Sequence, residues 1–228
     1  MRRNKNEGTK SEPPHKLSPL EAKTPNQKTY IRQIVENDVI ICSGPSGSGK
    51  SYIAAGLAAQ ALHRGDVERI IVTRPLVCAG KEIGSLPGDM REKIAPYLSP
   101  MEENLKFFFG RALYGYYFNS GAIEYRPLEV MRGSTFHSSY MILDEAQNCT
   151  VDQIKMFITR MGQGSKVLVN GDIRQNDLYG KSGLLYCMSR LSNIQGCAVS
   201  RLGYEDIQRN GLLGEILNAL ERDEDADL

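Results

Sequence analysis

The chain has 228 residues, 41% apolar and 24% charged, with a formal net charge of +1; this fits one soluble globular domain and excludes a globally basic nucleic-acid-binding surface. No stretch approaches the roughly twenty apolar residues of a membrane span, and no apolar signal core follows the basic start Met1-Arg2-Arg3-Asn4-Lys5, so a cytoplasmic protein without membrane contact is expected. Five cysteines (Cys42, Cys78, Cys149, Cys187 and Cys197) without a C-x-x-C pair, and three dispersed histidines, point to reduced thiols rather than disulfides or zinc.

Residues 1–23 are rich in Lys, Asn, Ser, Pro and Glu and read as a flexible arm. Its basic residues alternate with Glu7, Glu12 and Glu21, which favours a solvating tail over a nucleic-acid contact. From Thr24 to the C-terminus the pattern is one α/β domain. Strands are expected at Val39–Cys42, Arg69–Thr73, Ala122–Tyr125, Tyr140–Asp144, Lys166–Asn170 and Gly196–Ser200. Helices are expected at Thr29–Glu36, Lys50–His63, Met101–Phe109, Thr150–Met161, Gly183–Leu191 and Leu212–Arg222. Such alternation predicts βαβ units and a mostly parallel sheet, with ligands gathering at the carboxyl ends of the strands. Residues 78–137 are less regular and read as an insertion within the domain. The aromatic run Phe107, Phe108, Phe109, Tyr114, Tyr116, Tyr117 and Phe118 lies there, and packing is favoured for it over stacking on nucleic-acid bases.

The segment Gly44-Pro45-Ser46-Gly47-Ser48-Gly49-Lys50-Ser51 fits the phosphate-loop pattern Gly-x-x-x-x-Gly-Lys-Ser/Thr between an apolar strand and a small-residue helix. In that context backbone N–H groups and a positive helix end converge where a polyphosphate can sit. Lys50 would reach the β/γ-phosphates and Ser51 would ligate Mg²⁺, with Tyr52 next along the nucleotide site.

The run Tyr140-Met141-Ile142-Leu143-Asp144-Glu145 describes a buried strand delivering two carboxylates to the same edge. Asp144 is placed to hold Mg²⁺ opposite Ser51, and Glu145 to polarise the water that attacks a γ-phosphate. An acidic helix start would be the ordinary alternative. Downstream, Gly171-Asp172-Ile173-Arg174-Gln175 ends another strand; Gln175 can report on the γ-phosphate, or the segment is simply a turn.

These motifs, with Gln27 and Tyr30, Thr73-Arg74-Pro75, Leu86-Pro87-Gly88-Asp89, Met131-Arg132-Gly133-Ser134-Thr135, Asp144-Glu145-Ala146-Gln147-Asn148 and Thr159-Arg160-Met161-Gly162, occur in an order that resembles the PhoH-like ATPases. This family is related to the superfamily 1 helicase core, and the resemblance runs from about Thr24 to about Leu220. It implies a P-loop NTPase fold of RecA/helicase type, three layers α/β/α, with ATP/ADP and Mg²⁺ as ligands. It implies that Gln27 reads the adenine edge, that Tyr30 packs against the base, and that Gln175 is the sensor. Asp206-Ile207-Gln208-Arg209 resembles a late family element, making Arg209 the first choice for an arginine finger ahead of Arg132 and Arg160. The family tends to form rings, so a homo-oligomer, a hexamer foremost, is implied. The chain departs from the family pattern at Ser134, Arg174 and Ser46-Gly47-Ser48, and the 228 residues include no ribonuclease-type domain. Two readings stay open: a Mg²⁺-dependent ATPase, coupled or not to RNA or single-stranded DNA, and a nucleotide-gated assembly protein in which ATP controls ring formation.

Overall fold

The computed structural model describes residues 16–75, 90–175, 183–208 and 216, with backbone only for 90–99. Six strands, β1 (Val39–Ser43), β2 (Arg69–Thr73), β3 (Ile123–Tyr125), β4 (Ser139–Leu143), β5 (Lys166–Gly171) and β6 (Cys197–Arg201), form one sheet in the order β3-β2-β4-β5-β1-β6. Every pairing is parallel, with β1 in register between β5 and β6 and β4 between β2 and β5. The helices are α1 (Pro25–Glu36), α2 (Lys50–Arg64), α3 (Met90–Asn119), α4 (Val151–Ile158) and α5 (Gly183–Leu191).

The strands are apolar on both faces because both are covered. Ile40, Cys42, Ile70, Val72, Ile142 and Leu168 join one core with Tyr30 and Ile34 of α1, the alanines of α2, and Leu105 and Phe108 of α3. The alternate residues Val39, Ile41, Ile71, Met141, Leu143, Val167 and Val169 pack against Ile154 and Phe157 of α4 and Leu184 and Met188 of α5. A period of two thus divides each strand between two helical layers, giving the α/β/α architecture of a P-loop NTPase. Among the described residues no helix is long and apolar enough to cross a membrane. Cys42, Cys149 and Cys187 are free and buried, and burial pushes the Cys42 thiol up to about 12.

Three expectations need correction. Helix α1 begins at Pro25, because Thr24 caps it by accepting the Gln27 N–H and Pro25 pre-sets the first turn. Within 78–137, of which 78–89 lie outside the described residues, β3 extends the sheet beside β2 as expected, but α3 packs on α2 beyond Met101–Phe109. Of the aromatic run, Phe108, Phe109 and Tyr114 are buried in the core. Helix α3 breaks at Gly110, whose φ of 72° and ψ of 157° leave the helical region.

That break explains the third correction. Carbonyls in the turn before a break lose their helical partners and need others. Ser18 provides them, donating its N–H to Phe108 O at 2.9 Å and its hydroxyl to Phe107 O at 2.8 Å. Leu17 and Leu20 pack against the core beside this clasp. Residues 16–23 are therefore a docked strap, while the rest of the expected arm lies outside the described residues.

Candidate active site

At the carboxyl edge of the sheet, a cavity of about 530 Å³ is lined by Ser46, Gly47, Gly49, Lys50 and Ser51 of the loop after β1. Asp144 and Glu145 after β4, Gly171, Asp172 and Gln175 after β5, and Gln27 and Gln208 line it as well. The volume suits a small-molecule ligand. The same cavity is also lined by Glu21 and Lys23 of the strap, Tyr52 of α2, and Pro100, Asn104 and Phe107 of α3.

The phosphate loop takes its shape from glycine where no other residue serves. Gly47 and Gly49 have φ of 83° and 97°, and a Cβ on Gly49 would lie 2.9 Å from Gln27 Nε2. Ser48 is buried and donates its hydroxyl to Pro45 O at 2.8 Å. Lys50 Nζ lies across the loop, bonded to the carbonyls of Gly44 and Pro45. The ammonium is thereby kept against the loop.

Two other elements brace the loop. Gln27 donates through Nε2 to Ser48 O (2.9 Å) and Asp206 O (3.3 Å), and its Oε1 accepts the Lys23 N–H (2.8 Å). Asp206, fully buried, accepts from the Thr24 hydroxyl, from Asn26 Nδ2 at 3.0 Å and from Gly203 N at 2.7 Å. The Gln208 N–H donates to Gly47 O at 3.2 Å. Strap, α1, phosphate loop and the 203–208 segment are therefore one hydrogen-bonded unit.

Consecutive residues of a strand point to opposite faces, so two adjacent carboxylates on one cavity need a turn. Glu145 supplies it: its φ of 57° is left-handed, uncommon outside glycine, and both Asp144 and Glu145 reach the cavity. Ser51 donates its hydroxyl to Asp144 Oδ1 at 3.0 Å. Burial, reinforced by Glu145, holds the Asp144 carboxyl above the usual carboxylate range, against the opposing effects of Ser51, Arg74 and Lys50. Glu145 is held by both oxygens, to Arg74 at 3.0 Å and to Gln147 Nε2 at 2.6 Å. Gln147 Oε1 in turn accepts the Asp172 N–H at 3.1 Å, tying the acid pair to the loop after β5. A Ser hydroxyl beside a carboxylate, next to a lysine, is a donor set that fits Mg²⁺ shared with phosphate oxygens.

The other expected residues are dispersed. Gly44, Pro45 and Ser48 shape the loop without lining the cavity. Tyr30 does not line it either: fully buried in the core, it donates its hydroxyl to Asn170 Oδ1 at 2.6 Å. Gln175 is exposed at the rim. Arg132 is exposed away from the cavity, and Arg160 donates to Ser134 O at 3.3 Å. Arg209 lies outside the described residues. Sequence reasoning missed Gln147, Asp206, Asn104 and Phe107 as parts of this site; Gln147, two residues beyond Glu145, and Asp206, ahead of Arg209, stood within quoted motifs, whereas Asn104 and Phe107 carried no signal for the site.

Comparison with known proteins places this arrangement. The chain is 44% identical to a PhoH-like protein of Synechocystis over 207 residues, 90% of this chain and 63% of that protein. It is 41% identical to a PhoH-like protein of Bacillus subtilis (89% of this chain, 64% of that one) and 41% identical to the Escherichia coli K12 Protein PhoH (89% and 58%). The chain thus spans about three fifths of the length of these relatives. Among solved structures it is similar to the UvsW helicase of bacteriophage T4, with a TM-score of 0.47 and 16% identity over 80% of this chain and 60% of that one. It is also similar to the Sulfolobus solfataricus SWI2/SNF2 ATPase core, with a TM-score of 0.45 and 16% identity over 76% of this chain and 36% of that one. The model of the PhoH-like protein family matches residues 19–221, and the chain belongs to that family.

Proposed function

We propose that this protein binds ATP with Mg²⁺ and hydrolyses its terminal phosphate. The observation that carries the reading is the meeting of Lys50 and Ser51 with Asp144 and Glu145 at one sheet edge, Ser51 Oγ lying 3.0 Å from Asp144 Oδ1. The N–H groups of the phosphate loop and the start of α2 bind the β-phosphate, and Lys50 swings from its carbonyl partners to the β/γ-phosphates. Ser51 and Asp144 would hold Mg²⁺, which supplies charge neutralisation on the phosphates when bound. Glu145 orients the attacking water and takes its proton; Arg74 and Gln147 fix where that carboxylate stands. Gln175 faces the same space from the rim.

Release of inorganic phosphate from ATP tests this. Turnover requires Mg²⁺ and is lost in Lys50→Ala and in Glu145→Gln; unchanged turnover in both variants would sink the enzymatic reading. The family resemblance adds single-stranded RNA or DNA as an effector. Stimulated turnover with a steep salt dependence supports that coupling, and a flat response removes it.

A further inference from the structure

The cavity that holds Lys50 and Ser51 also has a lining of different chemistry. Phe107 is 55% exposed while its neighbours Phe108 and Phe109 are 1% and 3% exposed. Its ring lines the cavity 5.9 Å from that of Tyr52, whose other neighbour is Phe108 at 4.9 Å. One turn earlier on α3, the half-buried Asn104 lines the same wall. The wall is held firmly: Phe107 and Phe108 are the residues whose carbonyls Ser18 clasps, and the strap is fastened again through Lys23 N–H to Gln27.

The side chains first expected to meet a base are occupied elsewhere. Both N–H groups of the Gln27 amide are used on Ser48 O and Asp206 O, and Tyr30 is sealed in the core. An open aromatic face beside a polar amide, in the same cavity as the phosphate loop, suits a flat heterocycle carrying donors and acceptors on its edge.

We propose that the wall formed by Tyr52, Phe107 and Asn104 is the base subsite of this cavity, stacking a purine on Phe107, with the tilted Tyr52 ring at the base's margin, and reading its edge through Asn104. Gln27 acts instead as a brace beneath the phosphate loop. The inference rests on the nucleotide reading above.

Titration calorimetry with the full chain and Mg²⁺ tests it, using ADP and inorganic pyrophosphate as paired probes so that turnover does not intervene. Phe107→Ala weakens ADP about ten-fold, within the range that base–aromatic stacking supplies, and leaves pyrophosphate unchanged. Phe107→Leu keeps the bulk without the π face and falls between, guarding against a packing defect. Asn104→Ala weakens ADP several-fold and narrows the preference between ADP and GDP. Equal ADP affinity in wild type and both Phe107 variants, or a parallel loss of ADP and pyrophosphate, overturns the base subsite. A wild-type chain that binds neither probe overturns the nucleotide reading itself, a distinct result.

Discussion

The two parts of the cavity lining are built in opposite ways. The phosphate-loop part comes from short contiguous segments: one loop between β1 and α2 and one acid pair after β4, each shaped by its own backbone. The other part is assembled from a strap, the first turn of α2 and the middle of α3, joined by contacts such as Ser18 to Phe107, 89 residues apart in sequence. A contiguous segment carries its chemistry wherever it folds; an assembled wall depends on the whole tertiary structure. On the proposed nucleotide reading, phosphate recognition belongs to the loop, and discrimination among bases to the packing of α3.

The largest effects separate these parts. Lys50→Ala lowers phosphate release at least about a hundred-fold and removes ADP and pyrophosphate binding together, since Lys50 serves the part they share. Glu145→Gln lowers turnover by about 10²–10⁴ while both ligands still bind, as expected of a general base; calorimetry beside a phosphate-release assay checks each.

Asp144→Asn abolishes Mg²⁺-dependent turnover yet raises the melting temperature at neutral pH. The Asp144 carboxyl is held above its ordinary range by burial, so the folded state favours its protonated form. As pH rises from the ordinary carboxylate value through the raised one, the buried charge forms and that stabilisation is lost. The amide is uncharged throughout and can still accept from Ser51. Thermal melts of both proteins across acidic to neutral pH read this directly: their gap widens as pH rises.

Gln27→Ala sharpens the contrast. As a brace it costs about 1–3 kcal/mol, because Ser48 O and the Lys23 N–H lose buried partners. ADP and pyrophosphate affinities then fall in parallel by a few-fold; loss of ADP affinity alone would return Gln27 to the base. Smallest is Tyr30→Phe, which leaves Asn170 Oδ1 without its donor, costs about 1–2 kcal/mol in urea unfolding and leaves ADP affinity unchanged.

What the sequence made legible follows the same division. The strands, the phosphate loop and Asp144-Glu145 could be placed because a glycine spacing and an apolar run before an acid pair are local signals. Tyr30 was misread because neighbours in a motif need not share a solvent face. Gln27, Tyr30 and Ile34 recur at helical spacing as the buried residues of α1, and that period was the signal for a core position. The strap reads as tail by its polar composition, although Leu17 and Leu20 sit three apart within it. Nothing near Phe107 announces an open face among buried aromatics; that follows from how α3 lies on α2. Gly56 is part of the reason, since a Cβ there would meet Phe108 at 2.8 Å and Leu20 at 2.9 Å.

The clasp of Ser18 on the carbonyls before Gly110 moves the edge of the folding unit. Motifs would start the domain at Thr24, but a chain trimmed there would bare two carbonyls and the sockets of Leu17 and Leu20. The packed part of the described chain therefore begins ahead of its first recognisable motif, and a cut at Thr24 would pass through a joint.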